Sequence, residues 1–259
     1  MSLRALSLLA HPDDAEMLCA GVLIQLKDLG WDVQIASMTP GDCGSRELPP
    51  AEISRVRREE ARRAAASIGA TYHCVESSDL LVCFDPPQVR RTIELVRSVD
   101  PTLVITHSPQ DYMLDHEFTS QLARNACFGA PIVNFQTGAE RPARPTARIP
   151  HLYYCAPVEG RNIFGEPVAS SLIIDISQVI ERKAEMLAFH RSQRDWLRSQ
   201  HGMDEYIDAM RRWSADTGAG AGMKYAEGFR QHRGHPYPQD DLLGTTLAAA
   251  RETRTTMTL

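Results

Sequence analysis

Leu3 to Ala10 reads LRALSLLA, a short and almost unbroken apolar run that suits a strand buried on both faces. The polar tetrapeptide His11-Pro12-Asp13-Asp14 ends it, and either aspartate can cap a helix. From Ala15 to Leu29 the apolar residues Leu18, Val22, Leu26 and Leu29 recur at helical spacing until Gly30 stops the run. Asp32 to Thr39 alternates like a second strand, and Pro40 to Pro50, rich in Gly, Pro and Ser, reads as a loop. A charged amphipathic helix is predicted over Ala51 to Ile68, closed by Gly69, and a third strand over Thr71 to Glu76. Pro87 to Val99 is helical, Thr102 to Thr106 (TLVIT) is a further buried strand, and His116 to Phe128 can be helical.

Strands therefore alternate with helices through about residue 130, the pattern of a parallel sheet covered on both sides. The expected fold is a Rossmann-like α/β three-layer sandwich with a mostly parallel sheet. Residues 1–130 make its core, and 131–259 a smaller C-terminal α/β portion of the same domain. Pro131 to Pro150 has no clear period and is expected as a long connection over the site. His151 to Ala156 and Ser171 to Ile176 read as strands. Ser177 caps a long helix to about Ser199, and Asp204 to Ser214 is another. Gly218 to Gly222 (GAGAG) reads as a hinge before a tail with His232, His235 and Tyr237. In such sheets the site lies beyond the carboxyl ends of the strands. His11, Thr39 to Ser45, and His107 to His116 all fall on that one rim.

The bulk numbers narrow the classes. Among 259 residues, 43% are hydrophobic and 24% charged, so a core of ordinary size needs no staple. A net charge of -5 argues against nucleic acid or an anionic membrane as main partner. No apolar run approaches the roughly 20 residues of a membrane span. Met1 to Ala10 lacks a small-residue cleavage pattern, so the cytoplasm is the expected compartment. The six cysteines are scattered without a C-x-x-C pair, which is neither a disulfide framework nor a zinc-finger spacing.

The rim loops carry the chemistry. His11-Pro12-Asp13-Asp14 sets one imidazole and two carboxylates within four residues at a strand end. One His and one Asp there can supply two zinc ligands, and a second imidazole from a distant loop completes a set with one position open for water. The other Asp is then left beside that water as a general base. His107-Ser108-Pro109-Gln110-Asp111-Tyr112-Met113-Leu114-Asp115-His116 offers the second imidazole, twice over. The blander account makes both segments strand-to-helix turns with capping aspartates. No G-x-G-x-x-G follows the first strand, which counts against a nucleotide-binding domain.

Leu9-Ala10-His11-Pro12-Asp13-Asp14-Ala15-Glu16, followed by Gly21, resembles the A-H-P-D-D-x-E…G signature of the LmbE-like, or PIG-L, family of N-acetylglucosaminyl deacetylases. Arg57-x-x-Glu60-Ala61 with Ala64-Ala65 and Ile68-Gly69 is similar to the family's R-x-x-E-A-x-x-A-A-x-x-L-G helix, and Asp115-His116 to its late D-H pair. The likeness covers at least residues 3 to 128. It implies zinc, or another divalent metal, on His11, Asp14 and His116, with Asp13 as general base. It also implies a second carboxylate, Asp115, fixing a ligand imidazole, and Arg57 facing substrate. The implied reaction removes an acetyl or other acyl group from an N-acetylated amino sugar, a glycoconjugate or a related amide, and a homo-oligomer is compatible with it. Many relatives read H-P-D-H at the late motif, where this chain has Met113-Leu114-Asp115-His116. Methionine can neither donate nor carry a proton. The replacements to consider are His107, Tyr112, His232 and His235; the tail pair is expected to fold over the rim and contact substrate, as is Asp111. The alternative is a metal- or sugar-binding protein that lost turnover at Met113. The H-x-S-Q run His190-Arg191-Ser192-Gln193 is expected to serve packing or subunit contact.

Overall fold

The computed structural model describes residues 3–194 and 205–257. Its apolar runs become strands β1 (Arg4–Leu9), β2 (Asp32–Ser37), β3 (Thr71–Cys74), β4 (Leu103–Thr106) and β5 (His151–Cys155). β6 (Leu172–Asp175) and β7 (Ala226–Gln231) complete one sheet in the order β3-β2-β1-β4-β5-β7-β6. Pairs within β1 to β5 are parallel, and β7 runs antiparallel to both neighbours. The residues from 151 onward thus extend the first sheet. The helices are α1 (Asp14–Leu18), α2 (Ala20–Asp28), α3 (Pro50–Ser67), α4 (Pro86–Val99) and α5 (Leu114–Gly129). They continue with α6 (Ile180–Leu187), α7 (Glu205–Ala219) and α8 (Leu242–Met257).

Period-two alternation sends side chains to the two faces of the sheet. Ala5 and Leu9 of β1, with Leu103 and Ile105 of β4, pack into a core with α2, α6 and α7. Leu6 and Leu8, with Val104, pack against α4 and α5. Each such leucine contributes about 1.5–3 kcal/mol by leaving water. No described helix is long and apolar enough to cross a membrane.

The helix expected from Ala15 to Leu29 is broken at Cys19, whose φ of −144° lies outside the helical region. The cause lies 206 residues away. Glu227 of β7 accepts from Gly21 N at 2.7 Å and Val22 N at 2.8 Å, satisfying two of the orphan amides at the start of α2. Gly21 is required there, because a Cβ would stand 2.5 Å from Ile176 Cγ2 and 2.9 Å from Glu227 Oε1. Lys183 of α6 donates to the same Glu227 Oε1 at 2.7 Å, and both side chains are almost wholly buried. Lys183→Met is expected to cost about 3 kcal/mol, the low end for breaking a buried pair. The denaturation midpoint should drop accordingly, and Lys183→Met/Glu227→Gln should recover part of it by discharging the stranded carboxylate.

Three further expectations need correction. The connection 131–150 does not cover the rim: Arg97 of α4 grips the carbonyls of Ala130, Ile132 and Phe135, and Glu94 takes Thr137 and Ala143 N. The segment is thereby held along α4. The long helix from Ser177 is a short α6 that ends at Leu187, with helix resuming at Arg191–Arg194; its remainder to Ser199 falls outside the described residues. The stretch read as a hinge is in part the end of α7.

Candidate metal centre

β1 and β4 are neighbours, and the chain's crossovers run outward from them in opposite directions, to β2 on one side and β5 on the other. A crevice forms beyond the carboxyl ends of strands at such a switch point. β1 delivers His11 to Asp14 there, and β4 delivers His107 and, through the start of α5, His116. The register holds the two strand ends level, with Leu8 opposite Thr106.

Asp14 is the focus. Its Oδ2 lies 3.3 Å from His11 Nδ1 and 3.6 Å from His116 Nε2. The opposite nitrogen of each ring has its own carboxylate. His11 Nε2 is 3.1 Å from Asp115 Oδ2, and His116 Nδ1 is 2.9 Å from Asp111 Oδ1. A carboxylate behind an imidazole fixes its tautomer and leaves the other nitrogen's lone pair free for a metal. His11, Asp14 and His116 offer donor atoms within 4.8 Å of one another, two nitrogens and one oxygen. Their chemistry fits a divalent ion such as zinc, which takes a fourth ligand besides three of this kind.

The electrostatics agree with that geometry. Burial by itself would raise the Asp14 carboxyl, but His116 and His107 outweigh it and hold it well below the usual range. Burial also opposes a charged His11, yet Asp115 and Asp14 push its pKa up to about 10. The cluster thus draws a positive charge onto the place where the donors meet. His107 differs: burial and the neighbouring His116 take it down to about 4. Its Nε2 lies 3.0 Å from Ala10 N and 3.1 Å from Asp14 Oδ2, nearer that oxygen than either His11 or His116, and its ring stacks on His116 at 3.8 Å. That makes it a wall of the site.

Asp13 faces the other way because its backbone is left-handed, at φ 102° and ψ −22°. Such a non-glycine conformation costs of order 1–3 kcal/mol and persists only where the surroundings impose it. Here Arg57 Nη2 donates to Pro12 O at 2.7 Å and to Asp13 Oδ2 at 3.3 Å, and Tyr206 of α7 donates to the same oxygen. Burial raises the Asp13 carboxyl, while Arg57 opposes the rise. The guanidinium lies against the Thr39–Ser45 loop, where a Cβ at Gly44 would come within 2.6 Å of Arg57 Nη1.

The H-x-S-Q run closes the floor beneath Asp13. Ser192 donates to Glu60 through N at 2.9 Å and Oγ at 2.6 Å, and Gln193 Nε2 donates to Gly44 O at 3.0 Å. His190 is fully buried, with Nε2 3.3 Å from Glu16 Oε1. Although burial disfavours its charge, Glu16 raises its pKa.

The structure therefore gathers His11, Asp13, Asp14, Arg57, Asp111, Asp115 and His116 at one rim, but it changes the part of Asp111. Only 1% exposed and bonded to His116 Nδ1, Asp111 backs a ring and is not placed to touch substrate. His232 and His235 do not reach the rim at all. Because β7 is antiparallel, it carries the chain to the opposite edge, where His232 N bonds Leu152 O near the start of β5. The His232 ring bonds the Tyr154 hydroxyl at 2.9 Å. Of the four groups considered in place of the usual histidine, Tyr112 alone both borders the site and meets solvent. It is 59% exposed, and its ring meets His116 edge-on at 5.4 Å. Tyr206 was missed, and no local signal marks it; its contact with Asp13 spans 193 residues.

Residues 6–127 match the family model of GlcNAc-PI de-N-acetylase, PIG-L. A 4-oxalmesaconate hydratase of Pseudomonas putida KT2440 is 25% identical over 187 residues, 69% of each chain. The N,N'-diacetylchitobiose deacetylase of Pyrococcus horikoshii superposes with a TM-score of 0.75 at 23% identity, over 92% of this chain and 88% of that one. GalB, the 4-carboxy-2-hydroxymuconate hydratase of P. putida KT2440, gives 0.73 at 22% identity, over 93% and 99%.

Proposed function

Since the chain belongs to the PIG-L family, whose model its residues 6–127 match, we propose that the rim site is a metal-dependent centre that hydrolyses the amide of an N-acetylated amino sugar. The observation that carries this reading is the convergence of His11 Nδ1 and His116 Nε2 on one Asp14 oxygen, from segments more than a hundred residues apart. A bound divalent ion, zinc by donor type, supplies Lewis acidity that brings water deprotonation near neutral pH.

The chain's own groups do the rest. Asp111 and Asp115 hold the two imidazoles in register. Asp13, raised by burial and fixed by Arg57 and Tyr206, takes the proton from the attacking water and returns it to the leaving amine. The Tyr112 phenol replaces the absent histidine as the donor to the acyl oxygen, a contribution of about 3 kcal/mol for such a donor. Arg57, buried behind Asp13, serves the base more directly than it serves substrate.

A second reading is favoured by Met113 and by the hydratase relative: the same site adds water across a carbon–carbon double bond of an unsaturated acid. That reaction needs the activated water and the base but no departing amine. A matched assay separates the two. Metal-loaded protein is offered a panel of N-acetyl amino sugars with amine release as readout, and 4-carboxy-2-hydroxymuconate with loss of its ultraviolet absorbance. Amine release with acetate in equal amount is the expected result. Hydration without amine release would replace the first reading by the second, and neither reaction would leave a binding protein.

A further inference from the structure

Beside the rim site, the Thr39–Ser45 loop meets the turn that follows β3. One oxygen each of Asp42 and Asp79 and the Sγ of Cys43 lie there within 4.8 Å of one another. Backbone amides lock the two segments together: Asp79 N donates to Asp42 Oδ1 at 2.7 Å, and Cys43 N to Asp79 Oδ2 at 2.9 Å.

What these bonds leave over is one carboxylate oxygen, Asp79 Oδ1, with no hydrogen bond of its own. Asp79 is only 7% exposed, yet its Oδ1 is buried with no hydrogen-bond partner. The nearest cationic group is His11 Nε2 at 4.0 Å, and Asp115 already holds that nitrogen at 3.1 Å. Among the described residues no lysine or arginine pairs with Asp42 or Asp79. A buried carboxylate oxygen left unpaired is costly, and a cation is the usual remedy. The Cys43 thiol, open to solvent, is pushed up by its desolvation and by Asp79, Asp42 and Asp115, so the surroundings resist an anion there unless a cation accompanies it.

We propose that Asp42, Cys43 and Asp79 form a second divalent-cation site, distinct from the His11–Asp14–His116 centre and selective for a thiophilic ion such as Zn2+. Two carboxylates and one thiolate are a donor set that zinc accepts at tetrahedral positions, while the sulfur disfavours magnesium and calcium. Binding forms a metal–sulfur bond and releases the Cys43 proton to solvent; no electron moves. The exposed side of Cys43 is where the ion enters and where a fourth ligand attaches. This assignment goes beyond the hydrolytic reading and holds or fails without it.

Cadmium is the probe, because its bond to thiolate gives an ultraviolet charge-transfer band that imidazole and carboxylate ligands do not. Protein preloaded with one equivalent of zinc is titrated with Cd2+. The band should grow and saturate in the wild type and be missing in Cys43→Ser, a solvent-facing change that leaves the fold alone. Asp42→Asn should raise the cadmium concentration needed by about tenfold or more, at least the loss that follows removal of an outer partner of a metal ligand. His116→Ala should leave the band in place. A wild type without the band overturns the proposal, as does a band that survives in Cys43→Ser or disappears in His116→Ala.

Discussion

His116→Ala is expected to empty the rim site of metal and reduce turnover to background while the protein stays folded. The ring is 2% exposed, presents Nε2 to Asp14 at 3.6 Å and is clamped through Nδ1 by Asp111 at 2.9 Å. Removing it leaves one imidazole and one carboxylate, too few donors to retain zinc against dialysis. Loss of an outer partner alone costs roughly 10–100-fold in metal affinity, and loss of the ligand should exceed that. Asp111→Asn supplies the graded comparison: it keeps the ring, weakens its tautomer lock, and should lower affinity about tenfold. Metal content after dialysis, read by plasma mass spectrometry beside far-ultraviolet dichroism, checks both. Wild-type metal content in His116→Ala would dissolve the link between the β1 and β4 segments on which the site rests.

That link was legible in the sequence because it depends on local patterns. LRALSLLA and TLVIT are apolar enough to be central parallel strands, and parallel strands deliver their following loops to the same edge. The pairing of each imidazole with a carboxylate was half legible. Asp115 was anticipated behind a ring, but Asp111 was expected to touch substrate, since nothing in a linear run says which of two aspartates turns inward.

What could not be read is what the C-terminal third contributes across long separations. AEGFRQ has one strong β-former and a glycine, yet β7 is an inner strand because β5 and β6 supply its partners. Its antiparallel direction decides the fate of the tail, sending His232 and His235 away from the rim that their chemistry suited. The same strand places Glu227 at Gly21 and so breaks a helix whose apolar spacing is unbroken in sequence. Tyr206 belongs to this group: its role exists only where α7 meets the His11–Asp14 turn.

Asp13→Asn should lower kcat by about 10²–10⁴-fold, the range for removal of a general base, and leave metal content at the wild-type level. The two halves of this expectation come from one geometric fact. The left-handed backbone at Asp13 turns consecutive aspartates to opposite tasks, Asp14 toward the histidines and Asp13 toward Arg57 and Tyr206. Asparagine has the same shape and still accepts from both donors, so folding and the local turn are preserved while the proton acceptor is lost. Tyr206→Phe removes one of the two groups that hold Oδ2 and should cost roughly tenfold in kcat with KM little changed, because the phenol positions the base without meeting substrate. Steady-state kinetics on the amine-releasing substrate, with metal content measured on the same samples, distinguishes the cases. If Asp13→Asn instead loses its metal, Asp13 is a ligand and the division of labour in the turn is reversed; if it retains full turnover, another group takes the proton and the raised, clamped carboxyl is structural.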